Sequence, residues 1–174
     1  MQAESDNMKL TTDNAYLFWD GMCSQWVPIK ITIDGIEYNC NEQYMMAMKA
    51  KHFGDEKRYQ AIMYSNDPRN QKALGRAVEN FDMNKWNEIS RLVVYRANLA
   101  KFTQDEIAHD WLMDTDNILI VEASPTDKIW GIGLHQTNPD AWDTEKWQGT
   151  NWLGEAIMQV RSDIRQLKLL GRMK

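Results

Sequence analysis

Val121-Glu-Ala-Ser-Pro-Thr-Asp-Lys-Ile-Trp-Gly-Ile-Gly133 is the stretch on which the reading of this chain turns. A short apolar run, Ile118 to Val121, ends in Glu122; a Ser-Pro turn and Asp127 follow, and the chain resumes with Trp130 and two glycines. The pattern predicts strands over Ile118–Ala123 and Ile129–Gly133 joined by a tight loop. It gathers two carboxylates and an aromatic face at one end. Polar and small groups at a strand end are where α/β and α+β proteins bind ligands. The plainer alternative is a turn whose Asp caps a backbone amide.

Outward from that segment the signals alternate between strand and helix. Tyr16–Trp19 reads as an aromatic strand. Ile29–Ile33 and Ile36–Tyr38 flank Asp34-Gly35, a strong hairpin signal. Asn39 or Asn41 can cap a helix from Glu42 to His52, ended by Gly54. Tyr59–Ser65 is a second short helix. Asp67-Pro68 opens a third that reaches Leu74, where Gly75-Arg76 breaks it. Asp82 caps a long helix from Met83 to Phe102, with Trp86, Ile89, Val93, Ala97 and Ala100 as its inward stripe. Thr103-Gln-Asp-Glu106 is a capping box for a helix to Met113. A polar loop spans His135 to Gly149, and a last helix runs from Asn151 to Leu167 with Leu153, Ile157, Val160 and Ile164 inward. The sum is α+β: a single, compact, mostly helical domain with a small β-sheet.

The 174 residues suffice for one domain with a real core, and no linker or repeat divides them. The expected organisation is a flexible N-terminus over 1–14, with Met1–Thr12 polar and frayed. A domain over 15–168 and a tail over 169–174 complete it. A net charge of −5 argues against a broad nucleic-acid footprint, while leaving room for local contact with one nucleotide. Cys23 and Cys40 lack metal-ligand spacing and suggest no disulfide framework; with no signal peptide and no membrane-length apolar run, a reduced, cytoplasmic setting is expected. His52, His109 and His135 are dispersed, so no metal is expected. Among the eight tryptophans, Trp130, Trp142, Trp147 and Trp152 fall in the loop-rich C-terminal third, where an aromatic side chain can stack on a planar ligand.

Glu42 and Lys49 lie two turns apart on one side of their helix. The bland account is a dipole-matched first-turn acid and a solvated lysine. The other is a catalytic pair, with Glu122 and Asp127 as further acids able to divide general acid and base roles. Gly75-Arg76, Lys49, Lys51 and the helix start at Asn151 are possible phosphate partners. No Walker loop, dinucleotide fingerprint or nucleophile elbow occurs.

Four segments in order carry a resemblance: Asn41-Glu-Gln-Tyr-Met-Met-Ala-Met-Lys-Ala50, Ala73-Leu-Gly-Arg76, Val121–Gly133 and Trp147-Gln-Gly-Thr-Asn-Trp-Leu-Gly-Glu155. Together they resemble the NADAR superfamily of YbiA-like N-glycosidases over about residues 16 to 165. The resemblance implies a YbiA-like α+β fold, no cofactor, and hydrolysis of a bond between ribose C1 and an exocyclic amine. The implied substrates are a riboflavin-pathway amino-pyrimidine ribose phosphate or an ADP-ribosylated guanine; the alternative is a module that binds ADP-ribose without cleaving it. Glu42, Lys49 and Asp127 match the family's catalytic positions. Ser24, Trp26, Arg76, Trp86, Glu122, Trp130, Gly131, Asn151 and Glu155 are the implied substrate contacts. Two departures bear on substrate choice: Cys23-Ser-Gln-Trp26 stands where the family often has Phe-Ser-Asn-Phe, and Met46 where many members have Gln. An N-ribosyl amine can ring-open to an imine, so Lys49 could form a Schiff base at C1; water attacking C1 directly is the other route.

Overall fold

A computed structural model describes residues 9–172. Met1–Met8, most of the segment expected to fray, and Met173–Lys174 lie outside the described residues. From Lys9 the chain is held. Lys9 bridges to Asp143, Leu10 donates its N–H to the Trp142 carbonyl at 3.0 Å, and the Leu10 side chain is buried.

Among the described residues the β component is two separate two-stranded sheets. β1 (Ala15–Phe18) pairs in parallel with β4 (Leu119–Glu122), Ala15 opposite Leu119 and Phe18 opposite Glu122. β2 (Ile31–Ile33) and β3 (Ile36–Tyr38) form the expected antiparallel hairpin, with both Asp34 and Gly35 at positive φ as a tight hairpin turn needs. Ile129–Gly133 is not a strand. Its backbone folds back on β4 instead, Ile132 donating to the Glu122 carbonyl at 2.9 Å and accepting from Gln148 at 2.8 Å.

Among the described residues there are six helices: α1 (Asn41–His52), α2 (Glu56–Tyr64), α3 (Pro68–Arg76), α4 (Met83–Gln104), α5 (Glu106–Asp114) and α6 (Trp152–Leu169). Two short 3₁₀ turns, Pro139–Trp142 and Thr144–Lys146, order the polar loop. α1 packs against α2, α3 and α4, and α6 against α4 and β4.

Several helix ends differ from expectation. Neither Asn39 nor Asn41 caps α1; the cap residue is Cys40, and its side chain makes no capping bond. Asn41 is the first helical residue and turns its amide inward to Gln25 and Asn98. α2 begins earlier than Tyr59 because Asp55 caps it by accepting from Arg58 N–H at 3.0 Å. α3 runs through Gly75, whose missing side chain admits Met46; a Cβ there would come within 1.9 Å of the Met46 sulfur. Asp105, not Thr103, separates α4 from α5 and accepts from Ala108 N–H at 2.8 Å. Thr103 stays helical and donates to the Leu99 carbonyl at 2.6 Å.

The stripes of α4 and α6 face the core as their spacing predicts. Trp86, Val93, Ala97 and Ala100, and all four inward residues of α6, are buried, with Ile89 half-buried. Among the described residues no helix is long and apolar enough to cross a membrane.

Candidate active site

A cavity of about 790 Å³ opens where α1, α3, α4, the loop over 19–26 and the loop after β4 meet. Three helices line it with the same spacing. α1 contributes Glu42, Met45, Met46 and Lys49; α3 contributes Arg69, Lys72, Ala73 and Arg76; α4 contributes Met83, Trp86, Asn87 and Ser90. Each set falls at i, i+3, i+4 and i+7, which is one face of a helix. The chemistry differs by face. α1 offers an acid and an amine around two methionines. α3 offers three cations. α4 offers an aromatic ring and small polar groups.

Glu42, Lys49 and Asp127 therefore line one cavity, as do Ser24, Trp26, Arg76, Trp86, Glu122 and Trp130. Gly131, Asn151 and Glu155 do not. Gly131 lets the loop close on β4: a Cβ would sit 2.8 Å from the Glu122 carbonyl oxygen. Asn151 is a buried brace at a left-handed φ of 53°, its Oδ1 accepting from Glu122 N–H at 2.9 Å and its Nδ2 donating to the Ile120 carbonyl at 3.0 Å. Glu155 is exposed and pairs with Arg91.

Asp127 both caps its turn and lines the cavity. Its Oδ1 accepts from Ile129 N–H at 2.9 Å and Trp130 N–H at 2.8 Å, so it does cap the turn. That capping holds the carboxyl group at the cavity and sets the position of Trp130, whose ring meets Trp152 edge-on at 5.9 Å.

Burial governs the ionisation of the remaining groups. Glu42 is 5% exposed, and desolvation pushes its pKa up to about 7. Lys72, the Trp26 side chain and Arg76 oppose that rise, while Asp127 adds to it. Glu122 is pushed up to about 8, first by burial and then by the charges of Asp127 and Glu42, with Lys72 opposing. Lys49 is held below the usual lysine range by desolvation and by Arg76, against the pull of Glu42. Its ammonium also sits 4.0 Å over the Phe81 ring. Carboxyls that keep a proton near neutrality, in one cavity with an amine whose pKa is lowered by burial, are equipment for proton transfer and nucleophilic attack.

Three features escaped the sequence reading. Arg69 and Lys72 share a face with Arg76, and the i, i+3, i+7 spacing of cations in α3 was a signal available in the chain. Gln25 lines the cavity beside Ser24 and Trp26. Lys101, 1% exposed, donates from Nζ to the carbonyls of Met22 at 2.9 Å and Ser24 at 3.2 Å, tying α4 to the cavity loop. Cys23 and Cys40 are both buried and free. Among the described residues no three His, Cys, Asp or Glu side chains gather to hold a metal ion.

Comparison with known proteins gives a consistent result. A family model, the NADAR domain, matches residues 17–165. Protein irg-1 of Caenorhabditis elegans is 40% identical over 131 residues, 74% of this chain and 62% of that protein; the chain thus spans less than two-thirds of that relative's length. N-glycosidase R617 of Acanthamoeba polyphaga mimivirus is 40% identical over 148 residues, 82% of this chain and 87% of the relative. Among solved structures, that of the Escherichia coli protein YbiA superposes with a TM-score of 0.75 at 24% identity, covering 97% of this chain and 96% of YbiA, and shows the same fold.

Proposed function

The chain belongs to the NADAR family, and from that premise we propose that it is a hydrolase that cleaves the N-glycosidic bond between ribose C1 and an exocyclic amine of a phosphorylated N-riboside. The observation that carries this reading is the meeting of Glu42, Lys49, Glu122 and Asp127 on one cavity whose α3 wall is cationic. The relative R617 carries the name N-glycosidase. Arg69, Lys72 and Arg76 suit the phosphate, Arg through paired N–H bonds and Lys as a point charge. Trp26, Trp86 and Trp130 supply apolar faces for a ring.

The chemistry runs through ring opening. The C1–O4′ bond breaks as the amine lone pair forms C1=N, and the amine proton passes to O4′. The unprotonated amine of Lys49 adds to C1. Glu42 passes two protons in turn from the Lys49 nitrogen to the departing nitrogen, the C1–N bond breaks so that the base leaves as its free amine, and Lys49 is left joined to C1 as an imine. Water, deprotonated at Asp127, adds to C1 and frees both the lysine and the sugar aldehyde. Desolvation serves each step: it keeps Lys49 nucleophilic and Glu42 able to hold a proton near pH 7.

The test offers the protein an amino-pyrimidine ribose phosphate and an ADP-ribosylated guanine oligonucleotide, with and without borohydride. Release of base from one of them is expected, with a reduced adduct on Lys49 that Lys49→Ala abolishes. Release without an adduct assigns the attack on C1 to water. Binding of ADP-ribose with no release from either substrate overturns the hydrolase reading in favour of a recognition module.

A further inference from the structure

The cavity wall carries polar atoms that this chemistry leaves largely unused. Gln25 Nε2, Ser90 Oγ and Glu122 Oε2 are buried and have no hydrogen-bond partner among the described residues, and all three residues line the cavity. Ser90 is 1% exposed and lies one turn beyond Trp86 on α4. Buried polar atoms are normally paired, so three lining one cavity, from the loop over 19–26, α4 and the end of β4, point to a ligand.

The orientation of Gln25 follows from its neighbours. The Val94 carbonyl accepts from Asn98 Nδ2 at 2.9 Å, which sets that amide. Asn98 Oδ1 then accepts from Asn41 Nδ2 at 3.1 Å. Both Nδ2 groups also donate to Gln25 Oε1, each at 3.1 Å. With its oxygen held by two donors, the end of Gln25 left without a partner is a hydrogen-bond donor.

We propose that Gln25 Nε2, Ser90 Oγ and Glu122 Oε2 form the subsite for the amide edge of the leaving heterocycle, the C=O beside N–H of an aminopyrimidinone or purinone ring. The proposal rests on the N-glycosidase reading and names the part of the substrate that this wall receives. A fixed amide N–H suits the ring carbonyl, and a hydroxyl and a carboxyl can each accept from the ring N–H. Burial keeps the Glu122 carboxyl protonated near neutrality, so it also has a proton to donate. The phosphate has its own cations on α3, whereas Ser90 belongs to α4 and Gln25 to the loop over 19–26; Glu122 is the member of the three that feels an α3 cation, Lys72. Trp86 gives the ring an apolar neighbour.

The test measures binding of two probes by calorimetry, isocytosine as a free aminopyrimidinone and ribose 5-phosphate, to wild type, Ser90→Ala and Gln25→Glu. Gln25→Glu keeps the oxygen that Asn41 and Asn98 hold and exchanges the donor for a carboxyl oxygen, with Ser90→Ala as the variant that adds no charge. Each variant should weaken isocytosine about tenfold, as loss of one hydrogen bond predicts, and leave ribose 5-phosphate unchanged. In turnover the loss should appear in KM rather than kcat. Ser90→Ala should unfold at the same temperature or higher, since the hydroxyl it removes is unpaired, whereas a structural serine would lower it. Weakening of ribose 5-phosphate alone, or of neither probe, overturns the proposal. Isocytosine binding that responds as expected in a protein that releases no base would instead remove the hydrolase reading and leave the subsite.

Discussion

At the scale of single residues, Glu42 illustrates how one side chain acquires a role through its surroundings. A first-turn glutamate on a solvated helix would be an ordinary anion. Here burial pushes its pKa up to about 7. If Glu42 is the proton carrier, kcat/KM falls as pH rises through about 7, because the acid form is lost. Glu42→Gln should lower kcat about 10²–10⁴-fold, the usual weight of general acid–base catalysis. Glu122→Gln should keep the falling limb, and a pH–rate profile of the two variants separates them. Persistence of the limb in residual Glu42→Gln activity would remove Glu42 from this role. The sequence showed Glu42, Lys49 and Asp127 as candidates through motif and spacing. It placed Glu122 among the further acids and the substrate contacts, and nothing local to Glu-Ala-Ser-Pro reports that one of its oxygens is buried and unpaired.

At the scale of elements, the junction of β4 with α6 holds the candidate site in register. Asn151 satisfies the Glu122 N–H and the Ile120 carbonyl from a left-handed backbone that Asn adopts more readily than most residues. Three residues on, a Cβ at Gly154 would lie 2.1 Å from the Ile120 carbonyl oxygen and 2.5 Å from the Asn151 amide. Asn151→Ala leaves two buried backbone groups unpaired, at a cost of about 1–3 kcal/mol each at most. Gly154→Ala overpacks the same junction, a further route to about 1–3 kcal/mol. Chemical denaturation should show a lower midpoint for both, and because the two residues touch, the double variant should fall short of the sum. Additive losses would mean that the residues act on separate contacts. A Gly-x-Asn-x-Leu-Gly-Glu motif reads equally well as a ligand loop. Only the packing of α6 on β4 assigns Asn151 and Gly154 to the scaffold. The expected strand over Ile129–Gly133 fails for a related reason: Asp127 takes the N–H groups of Ile129 and Trp130, bending the chain before it can extend.

At the scale of the whole molecule, the cavity sets how stability responds to pH. Glu42 and Glu122 have folded pKa values raised to about 7 and about 8, well above the ordinary glutamate range. The folded state therefore binds these protons more tightly than the unfolded chain. Their favourable contribution is complete below about pH 4.5 and is lost as pH rises through 7 and 8. The melting temperature should decline from pH 5 to pH 8. Glu42→Gln combined with Glu122→Gln should flatten that decline by raising the pH 8 value, at about 2–4 °C per kcal/mol for a chain of this size. Thermal scans at the two pH values check it, and an undiminished slope in the double variant would show that other groups control the response. Lys101, pushed down to about 8 by burial, works in the opposite sense: the cost of its buried charge is full below that value and is relieved as pH rises past it and the amine loses its proton.

The chain by itself determined what is local or repeated at a fixed spacing. The Asp34-Gly35 hairpin, the Asp67 and Asp82 caps, and the inward stripes of α4 and α6 were legible, because a turn, a cap and an amphipathic face are each decided within a few residues. The motifs also carried the family, and nine of the twelve site residues named from them line the cavity. Tertiary structure alone decided the rest. It paired β1 with β4 across about a hundred residues, threaded α3 through Gly75 to seat Met46, and fixed the amide of Gln25 through Asn41, Asn98 and Val94. It also left Glu122 buried with one oxygen unpaired. These outcomes depend on desolvation and on partners distant in the chain, and both arise only once the helices have closed around the cavity.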